Sequence, residues 1–126
     1  MPFDNMPSIL KTDADLLRAA KARIDHPSKW CQNSFSSLRG DGMHICTLSA
    51  LNIALGCEPG AVIVPALHST RRRLAKRLVE AWGGTDWRAN VFRSTDAEHG
   101  VCAMNNDVGH RELMAIFDKT IEKAEA

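Results

Sequence analysis

The chain has no tyrosine and few aromatics, 6% of its 126 residues. That leaves little material for a platform on which nucleobases would stack. It also lacks an excess of charge: 16 Lys and Arg stand against 15 Asp and Glu, a formal net charge of +1. A protein basic over its whole surface, as a general nucleic-acid binder is, is disfavoured on that count. No apolar run approaches the ~20 residues of a membrane span. The opening Met-Pro-Phe-Asp-Asn-Met-Pro holds no basic stretch followed by an apolar one, so the expectation is a cytoplasmic, non-exported protein with no membrane partner. No C-x-x-C pair joins any of Cys31, Cys46, Cys57 and Cys102, which argues against a zinc knuckle or a thioredoxin-like motif. Reduced thiols are expected, with Cys46 and Cys57 acting as small hydrophobes.

What is present is ordinary globular material, 44% hydrophobic and 25% charged. A chain of this length makes one domain and buries enough surface to need no metal or disulfide. Residues 1–11 read as a flexible lead-in and 12–126 as a single helical domain. Thr12 caps a helix over about 13–25, which His26-Pro27 ends. Arg39-Gly40-Asp41-Gly42 reads as a turn rather than an adhesion motif. Met43 to Leu55 is apolar on nearly all sides and predicts a buried central helix over 45–55, closed by Gly56. Val62-Ile63-Val64 predicts an extended connector, and an amphipathic helix follows to Trp82 with Leu67, Leu74, Leu78, Ala81 and Trp82 on one face. Residues 85–100 have no clean period, Val101–Met104 reads as one buried turn, and a last helix spans about 109–124. The expected fold is all-α, allowing a short extended or hairpin segment: four to five helices packed around segment 45–55.

Three constellations bear on function. Arg71-Arg72-Arg73-Leu74-Ala75-Lys76-Arg77 puts five basic residues in seven, on a body whose remaining charge is acidic. Arg72, Arg73, Lys76 and Arg77 are the candidate binding residues, facing a protein partner with an acidic surface; a local phosphate or nucleic-acid contact is the less favoured alternative. The cluster also sits toward the helix N-terminus, the end at which the dipole disfavours cations. A second constellation is catalytic: Cys31 as nucleophile, His110 as base, and Asn106 or Asp107 as the group that orients the ring, with Gln32 as oxyanion donor. It would make the protein a Cys31-dependent hydrolase or transferase, against which His110 falls on the apolar face of the last helix. The third is metal binding by His44 and Cys46 or by His99 and Cys102, whose spacings are not those of closed zinc sites. No metal and no cofactor is expected. Asn105-Asn106-Asp107 reads as a polar turn, with Asp107 placed to cap the last helix.

The order Trp30-Cys31-Gln32, then Cys46-x-x-Ser49-Ala50-Leu51, then Asn106-Asp107 before a terminal helix resembles a family of small bacterial and phage proteins of unknown function. Its pattern runs Gly-Trp-Cys/Thr-Gln-Gly, Cys-x-x-Gly-Ala-Leu, Trp-Asn-Asp. Ser49 stands here where that family has Gly, and Asn105 where it has Trp. The resemblance spans about 15–124 and implies that Trp30, Gln32, Asn106 and Asp107 cluster as a pocket or a polar network. The expected function is non-catalytic binding through the Arg-rich helix, the way a phage-type inhibitor of a host complex would act.

Overall fold

The computed structural model describes residues 11–32, 36–39, 42–57, 65–83 and 96–126. Residues 1–10 of the expected lead-in 1–11, Gly40-Asp41 of the expected turn, the connector Val62–Val64 and residues 85–95 of the aperiodic stretch 85–100 lie outside the described residues. Thr12 opens helix α1 (Asp13–Arg23) with a capping box: its hydroxyl accepts from the Asp15 N–H at 3.1 Å, and the Asp15 carboxylate accepts from the Thr12 N–H at 3.4 Å. Leu16, Leu17 and Ala20 turn inward. The helix stops at Arg23 rather than 25, and Ile24 is already non-helical (φ −133°, ψ 24°). His26 is extended, as a residue before proline must be, and Pro27–Lys29 forms one 3-10 turn.

Strands β1 (Ser36–Arg39) and β2 (Gly42–Ile45) form an antiparallel hairpin in which Arg39 pairs with Gly42 and Ser36 with Ile45. Trp30 bridges Ile45 in the parallel sense, and the Cys31 N–H donates to the Ile45 carbonyl at 3.0 Å. The apolar run at 43–55 is therefore divided. Its first residues belong to β2, Cys46 is an extended N-cap, and helix α2 (Thr47–Ala54) begins two residues later than the expected 45. Leu55 caps it and Gly56 takes the left-handed conformation (φ 87°) that glycine reaches without strain. Thr47 to Asn52 are buried without interruption, because α2 is enclosed by its neighbours rather than lying on the surface.

Helix α3 (Pro65–Trp82) buries Leu74, Ala75, Leu78, Val79 and Ala81; Leu67 and Trp82 complete the stripe half-buried. Helix α4 (Asp96–Asp107) corrects two expectations. Val101–Met104 is its middle rather than an isolated turn, and Asn105–Asp107 is its last turn rather than a loop. Ala97, Val101, Met104 and Asn105 fall on one buried stripe, with Val108 just beyond the helix. Gly100 and the polar residues between them hide that period in the sequence. The last helix, α5 (His110–Glu125), is capped by the Gly109 backbone with no side-chain bond, so Asp107 does not cap it. Leu113, Ile116, Phe117, Thr120 and Ile121 face inward.

Helix α2 packs against α1, α3 and α4, while α5 closes over α1 and α3. The architecture is all-α with one short hairpin. Among the described residues no helix is long and apolar enough to cross a membrane.

Candidate functional site

Asn105 is the centre on which the Trp30-Cys31-Gln32 segment converges. Its Oδ1 accepts from Trp30 Nε1 at 2.6 Å, from the Thr47 N–H at 2.9 Å and from Thr47 Oγ1 at 2.7 Å. Its Nδ2 donates to the Cys31 carbonyl at 3.0 Å and to Asn106 Oδ1 at 3.4 Å. Asn105 is 1% exposed and Thr47 fully buried, so this is a sealed network, not a pocket. Gln32 completes it from the rim: its Nε2 donates to the Asn105 and Val108 carbonyls at 3.1 and 3.0 Å, satisfying acceptors that the end of α4 leaves open. Of the expected cluster, Trp30 and Gln32 are joined here and Asn106 sits at the edge. Asp107 is exposed and outside it. The hub itself was missed. Its signal was the i, i+4 step from Val101 to Asn105, which places an amide on a buried helical stripe.

The catalytic reading required Cys31 and His110 to meet. Cys31 is 3% exposed and its thiol donates to the His44 carbonyl at 3.4 Å. His110 Nε2 lies 2.7 Å from the Ile24 carbonyl, which only accepts, so this nitrogen carries the proton. The His110 ring tilts against Trp30, centroids 5.6 Å apart at 56°. Thiol and imidazole are thus committed to different backbone carbonyls, on opposite sides of Trp30 in the chain. Of the other thiols, Cys46 lies at the start of α2, where its sulfur accepts from the Ser49 N–H at 3.5 Å. Burial pushes the Cys102 thiol up to about 11, with Cys46 and Glu98 adding to the rise and Arg71 opposing it. Among the described residues no group of three or more His, Cys, Asp or Glu side chains is arranged to hold a metal ion.

The basic helix is engaged from two sides. Asp13, at the start of α1, accepts from Arg73 Nε at 2.9 and 3.2 Å, from Arg73 Nη2 at 2.8 Å and from Arg77 Nε at 2.9 Å. Those guanidiniums, Arg73 foremost, hold the Asp13 carboxyl below its ordinary value against the effect of burial. On α4, Glu98 lies 3.6 Å from Arg71 Nε and 3.7 Å from Arg72 Nε, within ion-pair reach but without hydrogen bonds. Arg71 Nη1 donates to Asn52 Oδ1 at 2.9 Å and so ties α3 to α2. Since α3 begins at Pro65, Arg71 is already in its second turn, and the unfavourable dipole end falls before the cluster. Outward-facing charge is carried by Arg72, whose side chain is 58% exposed, and by exposed Lys76 one turn on.

Elsewhere, a shallow depression of about 390 Å³ between α1 and α5 is lined by Arg18, Lys21, Asp25 and Asp118. Its charges pair among themselves or with neighbours: Lys21 with Asp118 at 2.6 Å, Asp25 with Lys29 at 2.9 Å, Arg18 with Glu125. It offers a ligand little that water does not.

No curated protein and no solved structure matches the chain. The model of one family matches residues 9–123, a span that holds the whole Trp30–Asn105–Gln32 network and the basic helix. The chain belongs to that family, a family of unknown function designated DUF6197.

Proposed function

We propose that the protein is a non-catalytic binding module that engages an acidic protein surface through α3, in a bacterial or phage cytoplasm. The observation that carries this reading is the charge left over on that helix. Among the described residues two acids, Asp13 and Glu98, pair with four of the five cations Arg71, Arg72, Arg73, Lys76 and Arg77, so the balance of these groups stays positive. Arg72 and Lys76 are exposed members of that cluster, on a helix whose opposite face is anchored in the core. Such a patch accelerates encounter with an acidic partner and selects against basic ones. The burial of Cys31 and the engagement of His110 elsewhere argue in the same direction.

The test is the double reversal Arg72→Glu/Lys76→Glu, which spares Arg73 and Arg77 because these hold Asp13. Because Arg72 lies beside buried Glu98, the neutral pair Arg72→Gln/Lys76→Gln serves as the folding control, and a cooperative thermal melt is required of both variants. Capture of a partner from nuclease-treated bacterial extract should be lost in the variant, and lost by the wild type at high salt. Undiminished capture by the variant overturns the proposal. Retention of the wild type on duplex DNA, lost in the variant, would move the assignment to nucleic acid.

A further inference from the structure

We propose that Asp13 is an internal occupant of the partner site, a carboxylate held between Arg73 and Arg77 that the acidic partner displaces with carboxylates of its own. The inference rests on the binding role of α3 proposed above and adds the chemistry and regulation of that site.

The geometry carries it. Arg73 grips the carboxylate side-on with two nitrogens, at 2.8 and 2.9 Å, the fork arrangement that matches a carboxylate. Arg77 adds a bond at 2.9 Å to the oxygen that Arg73 Nε already holds. One carboxylate therefore serves two guanidiniums, and the clamp keeps a net positive charge. The Asp13 side chain is 13% exposed, whereas Arg73 and Arg77 are 52% and 37% exposed. The anion lies beneath the clamp, and the guanidiniums open outward to solvent. Asp13 is not needed where it stands in α1, since Thr12 and Asp15 already close the capping box. A partner bringing two carboxylates gives each guanidinium its own anion in a drier setting, while Arg72 and Lys76 meet the surrounding charge. The exchange trades one ion pair for better-matched ones, so Asp13 sets a threshold that only an adequately acidic surface crosses.

The experiment measures binding of a fluorescein-labelled oligo-glutamate peptide at low salt by anisotropy. Asp13→Asn should bind about fivefold more tightly than the wild type, the scale of one released surface ion pair. A second readout needs no variant: on adding peptide to the wild type at pH 7, where both are ionised, the Asp13 carboxyl carbon followed by carbon-detected NMR should shift as its bonds to Arg73 and Arg77 are exchanged. Weakening by Arg72→Glu/Lys76→Glu without any gain in Asp13→Asn, or an Asp13 carboxyl resonance unmoved at pH 7 by bound peptide, overturns this inference and leaves the binding role standing. No peptide binding by any form, Asp13→Asn included, overturns both. A gain for duplex DNA but not for the peptide overturns the carboxylate assignment.

Discussion

Asn105 satisfies three buried donors with one oxygen and closes the loop back to Cys31 through its amide nitrogen. Asn105→Ala strands Trp30 Nε1 and both Thr47 donors away from water, and each such group costs about 1–3 kcal/mol. The expected loss is about 3 kcal/mol or more of unfolding free energy in urea titrations. A loss under about 1 kcal/mol would mean that Trp30 and Thr47 find other partners. An amide suits this position because its oxygen can accept from the Trp30 N–H. The thiols answer to burial in the same way. At neutral pH Cys31 should be alkylated no faster than the chain unfolds, and Cys102, pushed up to about 11, should react slowly as a neutral thiol. Rapid selective labelling of Cys31 would reinstate it as a nucleophile.

Helix α3 is held through Asp13 on α1 and Glu98 on α4, so acid should act on its docking. Asp13 titrates lower in the folded chain than its ordinary 3.8, chiefly through its bond to Arg73. The stabilisation it gives is complete above that ordinary value and is lost as pH falls through the lower folded value. Asp13→Asn should therefore flatten the acid limb of a stability-against-pH curve while leaving the slope between pH 6 and 8 unchanged. An identical acid limb in both proteins would show that the staple contributes nothing. Helices α1, α3 and α5 were readable in the sequence because Thr12, the Leu74–Leu78 pair and the Leu113–Phe117 pair declare caps and stripes locally. Helix α4 was not, because Gly100 interrupts its pattern and its polar stripe residue, Asn105, is explained by partners 58 to 75 positions away, Thr47, Cys31 and Trp30. Ile45 joined the wrong element for a similar reason. Strand and buried helix are both apolar, and only the pairing with Ser36 and Trp30 separates them.

Across the whole molecule, polar residues that looked functional in the sequence divide between two tasks. Trp30, Cys31 and Gln32 knit the interior, and the arginines of α3 both dock the helix and face outward. The basic run was visible in the sequence, whereas the acids that pair with it inside the fold were not. Asp13 had a sufficient local explanation as a helix-dipole residue, and Glu98 lay in a segment with no visible period. Position 105 also bears on how long the folded chain lasts. The bonds from Trp30 and Gln32 to Asn105 of α4 span 75 and 73 residues, whereas helix hydrogen bonds and i, i+4 contacts close over a few. Closing so long a loop is slow to be rewarded, so these bonds are expected to form after the rate-limiting step. Asn105→Ala should then leave the refolding arm of a chevron nearly unmoved and speed unfolding by about two orders of magnitude for a 3 kcal/mol loss. The network around Asn105 would act as a latch, setting the lifetime of the native state far more than the speed at which it is reached.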